Sequence, residues 1–290
     1  MQKVVPNLWF DHNALEAANF YISVFADSKI NSISYYPKTE EEGLADFQKD
    51  FAGKVLSIDF ELSGFRFTAI NADATFKPNP SISCLYASYS KKEIDELWKK
   101  LSENGKTLME LNEYPFSKYY GWVQDKYGFS WQLILNNSTE DKHSKIMPSL
   151  LFTQQKDGQA EQAMKFYTSI FKDSEIGKSM ASGTEGKISY ADFRLFDQWF
   201  AVMDGGQGHD FSFNPAISLM VACKDQQEID YYWEKLSANP EFEQCGWLQD
   251  KYGVSWQITP ANIEELLKTP GAFKRMMQMK KINIQNLKIN

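Results

Sequence analysis

One stretch of this chain occurs twice. Residues 121–134 read GWVQDKYGFSWQLI and residues 246–259 read GWLQDKYGVSWQIT, so ten of the fourteen positions are identical at a constant offset of 125. A segment that recurs at fixed spacing is the sequence signature of a repeated structural unit. A residue that chemistry requires in both units should therefore occur twice.

The repeat extends well beyond this motif. Further matched pairs are Phe20-Tyr21 with Phe166-Tyr167, GKVLSIDFEL with GKISYADFRL, and EIDELWKKL with EIDYYWEKL. Polar residues separate the two copies, as is typical of a linker. We predict a first domain over 1–138, a linker over 139–145, a second domain over 146–262 and a helical tail over 263–290.

Within one copy the hydrophobic pattern predicts the order of elements. Val4–Phe10 is an apolar run typical of a strand, and residues 56–62 alternate with period two. Asn13–Phe25 has helical spacing, with Asn13 as N-cap and Glu16 closing a capping box. The order restarts at residue 82, so each copy predicts two strand-helix-strand-strand-strand modules and an α+β fold.

Charge and cysteine content narrow the class of protein. The net charge is −7 without a Lys/Arg stripe, which argues against a nucleic-acid partner. No run of about 18 apolar residues is present, so we expect no membrane partner and no spanning helix. Cys84, Cys223 and Cys245 lack CxxC spacing and the start lacks an apolar signal region, which favours a reducing, cytoplasmic location.

Several strings together resemble a known superfamily. They are PNLWFDHNALEAANFYISVFADSKI, FNPAISLMVACKDQQEIDYYWEKL, CGWLQDKYGVSWQITP and MKKINI, and they span almost the whole chain. They resemble the vicinal-oxygen-chelate superfamily of glyoxalase I, extradiol dioxygenases and bleomycin-resistance proteins. Within it they are most similar to the PhnB-like branch, often labelled demethylubiquinone 3-methyltransferase. The resemblance implies tandem glyoxalase-like domains, each with two βαβββ modules forming a curved mixed sheet around a cleft.

Two further expectations follow from the resemblance. Related single-domain proteins commonly pair as dimers to complete the sheet and the cleft. A fusion of two domains could make that pairing internal, which predicts either a monomer with internal pairing or a homodimer. The tail residues Met276, Met277 and Met279 are expected to pack against the domain rather than to form a partner groove.

The superfamily's metal position is altered in both copies. The resemblance implies a ligating Glu on the last strand, where this chain has Gln132 and Gln257, and no His stands at the first-strand positions. None of His12, His143 and His209 is repeated, and each is expected to be a solvated loop residue. Neutral Gln and Ser oxygens are weak ligands for a divalent ion. We predict no metal site and no cofactor, leaving open a weakly held divalent ion.

The repeated polar residues are the candidate site. Gln132 and Gln257 either bind a polar ligand group or hydrogen-bond backbone across the strand. Strand alternation places a serine beside each Gln on the same face, and the buried Trp131 and Trp256 opposite. Tryptophans next to the repeated Gly could wall a pocket. The predicted ligand-binding residues are Gln132, Gln257, Ser130, Ser255, Trp122 and Trp247.

Asp59 and Asp192 are repeated acids in the middle of a predicted strand. On an amphipathic strand they face water. If they face the cleft instead, they are the best general-base candidates, because burial raises a carboxyl pKa toward neutrality. They are therefore the predicted catalytic residues.

The sequence predicts a small-molecule-binding protein of the glyoxalase/bleomycin-resistance fold. The alternative is a divergent lyase, isomerase or transferase acting on a small polar or aromatic metabolite. A third possibility is that one copy is a scaffold for the other, since Cys245 stands where the first copy has Tyr120. The methyltransferase label finds no support, because no G-x-G turn follows the first strand to hold an adenosyl cofactor.

Overall fold

The computed structural model describes residues 2–136 and 143–289. Most of the predicted linker, residues 139–142, lies outside them. The strands are β1 (Val4–Phe10), β2 (Lys29–Tyr35), β3 (Val55–Leu62), β4 (Phe65–Asn71), β5 (Ile82–Ser88), β6 (Lys106–Tyr114), β7 (Ser117–Gln124), β8 (Ser130–Leu135), β9 (Ile146–Thr153), β10 (Glu175–Ala181), β11 (Ile188–Leu195), β12 (Gln198–Gly206), β13 (Ile217–Cys223), β14 (Trp247–Gln249) and β15 (Ser255–Pro260). The helices are α1 (Ala14–Val24), α2 (Lys91–Ser102), α3 (Ala160–Ile170), α4 (Gln226–Leu236), α5 (Ile263–Leu266), α6 (Ala272–Met277) and α7 (Ile284–Lys288).

Four strand-helix modules follow one another along the chain, as the sequence predicts. The first three are complete βαβββ units built around α1, α2 and α3. The fourth departs from the pattern: a 3-10 helix, Pro240–Phe242, stands between α4 and β14 where the other modules have a strand.

The strands form two mixed sheets. One has seven strands in the order β14-β15-β13-β1-β4-β3-β2, and the other has eight in the order β10-β11-β12-β9-β5-β8-β7-β6. Within each sheet, two modules are joined at one antiparallel strand pair, which is β1–β13 in the seven-stranded sheet and β5–β9 in the eight-stranded sheet. The α+β class and the glyoxalase-like fold are confirmed, but each sheet takes one module from each copy instead of both modules from one copy.

The cross-copy pairing has a physical reason in how the modules of one copy meet. Tyr21 of α1 and Phe25, the C-cap residue of this helix, pack on Trp131 of β8. The ring centroids lie 5.7 and 4.7 Å from that of Trp131, respectively. The first and second modules are thus joined through the helical side of the sheets. Their first strands, β1 and β5, keep an edge for the module of the other copy.

The repeated DKYG turn is built on a buried aspartate. Asp125 Oδ1 accepts hydrogen bonds from the backbone N–H of Tyr127 and Phe129, at 2.9 and 3.1 Å. Its Oδ2 accepts from Trp131 Nε1 at 2.9 Å and from the Tyr21 hydroxyl at 2.8 Å. The turn aspartate therefore ties the helix of one module to the last strand of the next.

The second copy repeats this network. Asp250 accepts from the N–H groups of Tyr252 and Val254, from Trp256 Nε1 at 2.8 Å and from the Tyr167 hydroxyl at 2.7 Å. Trp131 and Trp256 are buried core residues, as predicted. Burial raises the pKa of Asp125 to about 6, although hydrogen bonds from Trp131 and Tyr21 oppose the shift, and it raises that of Asp250 as well.

The start of α1 differs from the predicted capping box. Asn13 is the N-cap residue, but its side chain makes no capping hydrogen bond. The N–H of Ala14 donates instead to Asn71 Oδ1 of β4 at 2.8 Å, and in α3 the N–H of Ala160 donates to Asp204 Oδ1 of β12 at 3.2 Å. A neighbouring strand supplies the acceptor that local sequence was expected to provide.

The tail is broken into short helices. The predicted helical tail over 263–290 consists of α5, α6 and α7, and the first two are separated at Pro270 and at Gly271, whose φ is +71°. Met276 and Met277 pack against a buried cluster of Tyr36, Leu44, Phe51 and Phe273, as expected for a packing stripe. In the described part of the chain, no helix is long and apolar enough to cross a membrane.

Candidate functional site

A row of polar side chains crosses the seven-stranded sheet. Cross-strand partners project to the same face of a sheet. The register places Asn7 of β1 beside Thr68 of β4 on one side and Ser218 of β13 on the other. With one residue from each strand, the row is Ser32, Asp59, Thr68, Asn7, Ser218, Ser255 and Gln249.

A cavity of about 1270 Å³ opens over one end of this row, from Ser32 to Asn7. Asn7, Thr68 and Asp59 contribute to its polar lining, while Ile70 and Met220 contribute to its apolar lining. Tail residues from Pro260 to Gly271 line it as well. The Ser32 hydroxyl lies 3.1 Å from Glu264 Oε1, which ties α5 to β2.

Three buried polar atoms on this face have no hydrogen-bond partner among the described residues. They are Asn7 Oδ1, Thr68 Oγ1 and Ser255 Oγ, and the first two residues line the cavity. Asn7 is only 5% exposed. Leaving one buried polar group unpaired costs about 1–3 kcal/mol, so the Asn7 and Thr68 atoms favour a bound molecule or water as their partner.

Gln257 adds a fourth polar group to the cavity. Its Nε2 donates to Ser218 Oγ at 2.9 Å, and it lines the cavity floor beside Met220. Among the described residues, no hydrogen bond to its Oε1 is formed. The Gln257 side chain is thus fixed through its Nε2 and leaves its Oε1 available to a molecule in the cavity.

The corresponding Gln132 in the eight-stranded sheet is fully bonded. Its Oε1 accepts from the Tyr120 hydroxyl at 2.8 Å. Its Nε2 donates to Ser83 Oγ at 2.6 Å and lies 3.3 Å from Ser149 Oγ. This glutamine therefore closes a hydrogen-bond network within the protein.

One substitution between the copies explains the difference. Cys245 occupies the position of Tyr120, so no hydroxyl reaches Gln257 Oε1. Its backbone has φ +53°, its N–H donates to the carbonyl of Met279 at 2.8 Å, and its Sγ lies 3.7 Å from Met277 Sδ. Burial raises the pKa of the Cys245 thiol, which disfavours a nucleophilic thiolate.

Asp59 lies in the cavity but is ion-paired. Its Oδ2 accepts from Arg66 Nε at 2.6 Å and lies 2.5 Å from Arg66 Nη2. Its Oδ1 accepts from Asn31 Nδ2 at 2.7 Å. Both oxygens of the Asp59 carboxylate are thus engaged by neighbouring side chains.

Asp192 is buried in the other sheet. Its Oδ1 accepts from the N–H of Lys178 at 2.8 Å and its Oδ2 from the Tyr190 hydroxyl at 3.1 Å. His143 Nε2 lies 3.7 Å from the same carboxylate, and its ring packs edge-on to Trp199 with centroids 4.6 Å apart. The expectation of a solvated His143 is corrected, because its side chain is only 15% exposed.

The remaining predicted residues divide between the two sheets. Ser130 Oγ accepts from Trp122 Nε1 at 2.6 Å, so this pair is bonded internally. Trp247 lies opposite Gln257 in the sheet register and packs edge-on to Trp9, with centroids 5.9 Å apart. Neither tryptophan belongs to the described residues that line the large cavity.

Sequence reasoning missed Asn7, Thr68 and Arg66 as cavity residues. A signal was present in the comparison of the two copies. In the repeat, Asn7 corresponds to Ser149 and Thr68 corresponds to Ala201, so the residue types differ between the two sheets. Arg66 likewise corresponds to Trp199. Differences within a repeat mark positions where the two clefts serve different roles.

The donor set does not fit a tightly bound divalent ion. On the sheet side the cavity is lined by neutral amide and hydroxyl groups and by the Asp59 carboxylate, which is paired with Arg66. The four other lining carboxylates, Glu41, Glu42, Glu264 and Glu265, belong to exposed residues. Within residues 2–136 and 143–289, no three His, Cys, Asp or Glu side chains form a metal-binding group. Hard or borderline ions need charged or imidazole ligands to offset their dehydration.

An adenosyl cofactor is not accommodated at the first strand-helix turn either. The turn is Asp11-His12-Asn13, without the glycines that let backbone approach a nucleotide. The first N–H of α1 is bonded to Asn71. This turn therefore lacks the glycine-rich element by which a strand-helix turn approaches an adenosyl cofactor.

Two mixed sheets of βαβββ modules around a polar cleft define a member of the vicinal-oxygen-chelate superfamily. A family model described as 3-demethylubiquinone-9 3-methyltransferase matches residues 2–134 and again residues 144–259. The chain belongs to this family, in its PhnB-like branch.

Several solved structures are similar to this chain. A putative 3-demethylubiquinone-9 3-methyltransferase, PhnB protein, from Bacillus cereus is 40% identical over 47% of this chain and 100% of its own, with a TM-score of 0.41. A protein from Staphylococcus aureus is 29% identical over 47% of this chain and 98% of its own, with a TM-score of 0.19. Glyoxalase I from Zea mays is 10% identical over 92% of this chain and 97% of its own, with a TM-score of 0.54, and shows the shared fold. Among the curated proteins, none matches this chain.

Proposed function

We propose that this chain binds a small polar molecule in the cavity of the seven-stranded sheet. The observation that carries the proposal is the pair of unpartnered polar atoms, Asn7 Oδ1 and Thr68 Oγ1, on neighbouring strands of the cavity lining. Natural proteins rarely leave such groups unpaired unless a ligand or water completes them.

The size and lining of the cavity support this proposal. Its volume of about 1270 Å³ is somewhat larger than a usual small-molecule pocket of roughly 300–1,000 Å³. Apolar side chains such as Leu56, Ile70 and Met220 surround the polar row. A few fixed polar groups within an apolar wall orient a ligand and provide specificity.

The eight-stranded sheet serves as a scaffold in this proposal. Gln132, Tyr120, Ser83 and Ser149 satisfy one another, so a ligand entering there would have to break existing hydrogen bonds. The predicted roles of Ser130 and Trp122 are accordingly structural, because these two side chains bond each other.

Catalysis by Asp59 stays a prediction that the geometry disfavours. Arg66 and Asn31 occupy the two oxygens of the Asp59 carboxylate. Asp192 receives a backbone N–H and a tyrosine hydroxyl in a similarly bonded setting. Binding without chemistry is the function that these contacts favour.

Thermal-shift screening of a metabolite library, followed by calorimetry of each hit, tests the proposal. The variant Thr68→Val removes one cavity hydroxyl with little change of shape, and Thr107→Val makes the same change at an exposed position of β6. Hits should bind wild type and Thr107→Val alike but bind Thr68→Val about tenfold more weakly, the effect of one hydrogen bond. A library without any hit, or hits indifferent to Thr68→Val, would overturn the proposal.

A further inference from the structure

We infer that the molecule bound in this cavity is a hydrogen-bond donor of the amide or amidine kind, neutral or cationic, and not an anion. The inference rests on the proposed function and names the ligand class of the same site. It follows from three features of the cavity: the acceptors in its floor, the balance of charge around it, and the apolar wall beside the polar row.

The cavity floor presents acceptors. Gln257 is oriented by its Nε2–Ser218 bond so that its Oε1 is the remaining atom. Asn7 Oδ1 is a buried acceptor and Asn7 Nδ2 is a donor, and within the described residues neither forms a hydrogen bond. Carbonyl oxygens accept hydrogen bonds and cannot donate them. A carboxylate or phosphate here would set its oxygens against Gln257 Oε1 and Asn7 Oδ1, whereas an amide edge brings an N–H for these acceptors and a carbonyl for the Asn7 Nδ2 donor.

The Thr68 hydroxyl sets a second requirement. It lies beside Asn7 in the register of β1 and β4, and a hydroxyl can either donate or accept. A ligand edge with an N–H next to a carbonyl or a second N–H can therefore bond Asn7 and Thr68 together. Amides and amidines have such an edge.

The charge around the cavity disfavours an anion. Five carboxylates and three cationic side chains line it, a balance of 3 − 5 = −2. Four of the carboxylates, Glu41, Glu42, Glu264 and Glu265, are exposed. The cation nearest the polar row is Arg66, and its guanidinium is bound to Asp59.

Burial of the cavity floor makes this negative charge balance unfavourable for a bound anion. A charge moved from water into a protein interior loses several kcal/mol of solvation unless an opposite charge offsets it. An anion on the cavity floor would face neutral amides, with the neighbouring guanidinium engaged by Asp59. A cation is favoured by the surrounding carboxylates, and a neutral amide avoids the desolvation cost of a charge.

The apolar wall defines the rest of the ligand. Ile33, Leu56, Ile70 and Met220 line the cavity next to the polar row. Burial of apolar surface against them contributes roughly 25 cal/mol per Å². A planar or aliphatic body carrying the amide-like edge matches this arrangement.

Three probes of nearly equal shape separate the possibilities: benzamide, benzamidine and benzoate. They share one ring and differ in charge and in donor content. Saturation-transfer NMR titrations of wild type, Thr68→Val and Thr107→Val at low ionic strength give the relative affinities. We expect saturable binding of benzamide and benzamidine, with benzoate at least tenfold weaker, and a loss of about tenfold for benzamide in Thr68→Val only.

Two results would overturn the ligand class. One is benzoate binding as tightly as the other two probes, and the other is no binding by either benzamide or benzamidine. If the metabolite screen still yields anionic hits sensitive to Thr68→Val, the cavity is a binding site for another class and the proposed function stands. If the screen yields nothing as well, both proposals fall. The comparison of the three probes on wild type does not depend on the variants folding.

Discussion

The two sheets of this protein are alike on the side that faces the helices and different on the side that faces the cleft. Under the helices, Asp125 and Asp250 make the same four hydrogen bonds to the same kinds of partners. In the clefts, Gln132 is fully bonded, whereas Gln257 lacks the tyrosine that would satisfy its Oε1.

This difference shows which positions of a repeated fold can change without loss of the core. The buried aspartate networks hold turn, strand and helix together, so an altered partner leaves buried donors unpaired. A cleft residue has fewer structural duties, and a substitution such as Tyr120 to Cys245 opens a position without disturbing the core. One sheet can then close its cleft while the other sheet keeps a cavity.

The largest expected loss of stability concerns the side of the sheets that faces the helices, where the two sheets are alike. Asp125→Ala and Asp250→Ala each leave two backbone N–H groups and a Trp Nε1 without their acceptor. We expect a loss of about 3–4 kcal/mol in the free energy of unfolding for each variant, measured by urea denaturation. A clear inequality between the two losses would break the symmetry that we assign to the core.

The pH dependence of stability tests the same buried aspartate network. Burial raises the pKa of Asp125 from 3.8 to about 6, so the folded state holds a proton that the unfolded state releases. The resulting stability is fully present below the unfolded pKa and is lost as pH rises through about 6. Wild type should therefore lose on the order of 2–3 kcal/mol relative to Asp125→Asn between pH 4 and pH 7. Parallel stability profiles of the two proteins would contradict this expectation.

The next prediction compares the two cleft glutamines directly. Gln132→Leu removes the partner of Tyr120, Ser83 and Ser149, and we expect a loss of about 2 kcal/mol. Gln257→Leu removes one bond, to Ser218, and should cost less than about 1 kcal/mol. Thermal and urea unfolding measure both. Equal losses would show that the two clefts are equally closed.

The smallest effect has the opposite sign. Thr68→Val removes a buried hydroxyl that has no partner, and should raise the free energy of unfolding of the ligand-free protein by about 0.5–1 kcal/mol. Thr107→Val, at an exposed site, should stay within about 0.5 kcal/mol of wild type. Destabilisation by Thr68→Val would mean that its hydroxyl is satisfied within the ligand-free fold.

Much of the fold was predictable because its signals are local. Strand alternation, helical spacing and the repeated motif gave the modules, their order and the buried Trp131 and Trp256. The capping of α1 was not predictable in this way, since its acceptor, Asn71, is 57 residues from Ala14. The break of the tail at Pro270-Gly271 is local and could have been read from the sequence.

The candidate site was predicted only in part. Gln257 and Asp59 were identified as repeated polar residues, and both line the cavity. Asn7, Thr68 and Arg66 were missed because repetition was the criterion, and these three differ between the copies. The criterion that finds structural residues in a duplicated chain is thus poorly suited to the residues that distinguish one cleft.

Residue identity and periodicity alone were enough to predict the modules, the family and the glutamine that both copies repeat on their last strand. These properties depend on periodicity and residue identity, which the chain carries locally. Only the tertiary structure decided that each sheet joins modules from different copies, and that Asn7, Thr68 and Gln257 meet over one cavity. Those outcomes depend on pairings between residues far apart in the chain, such as Asn7 with Ser218 and Ser83 with Ser149, and local pattern does not encode such pairings.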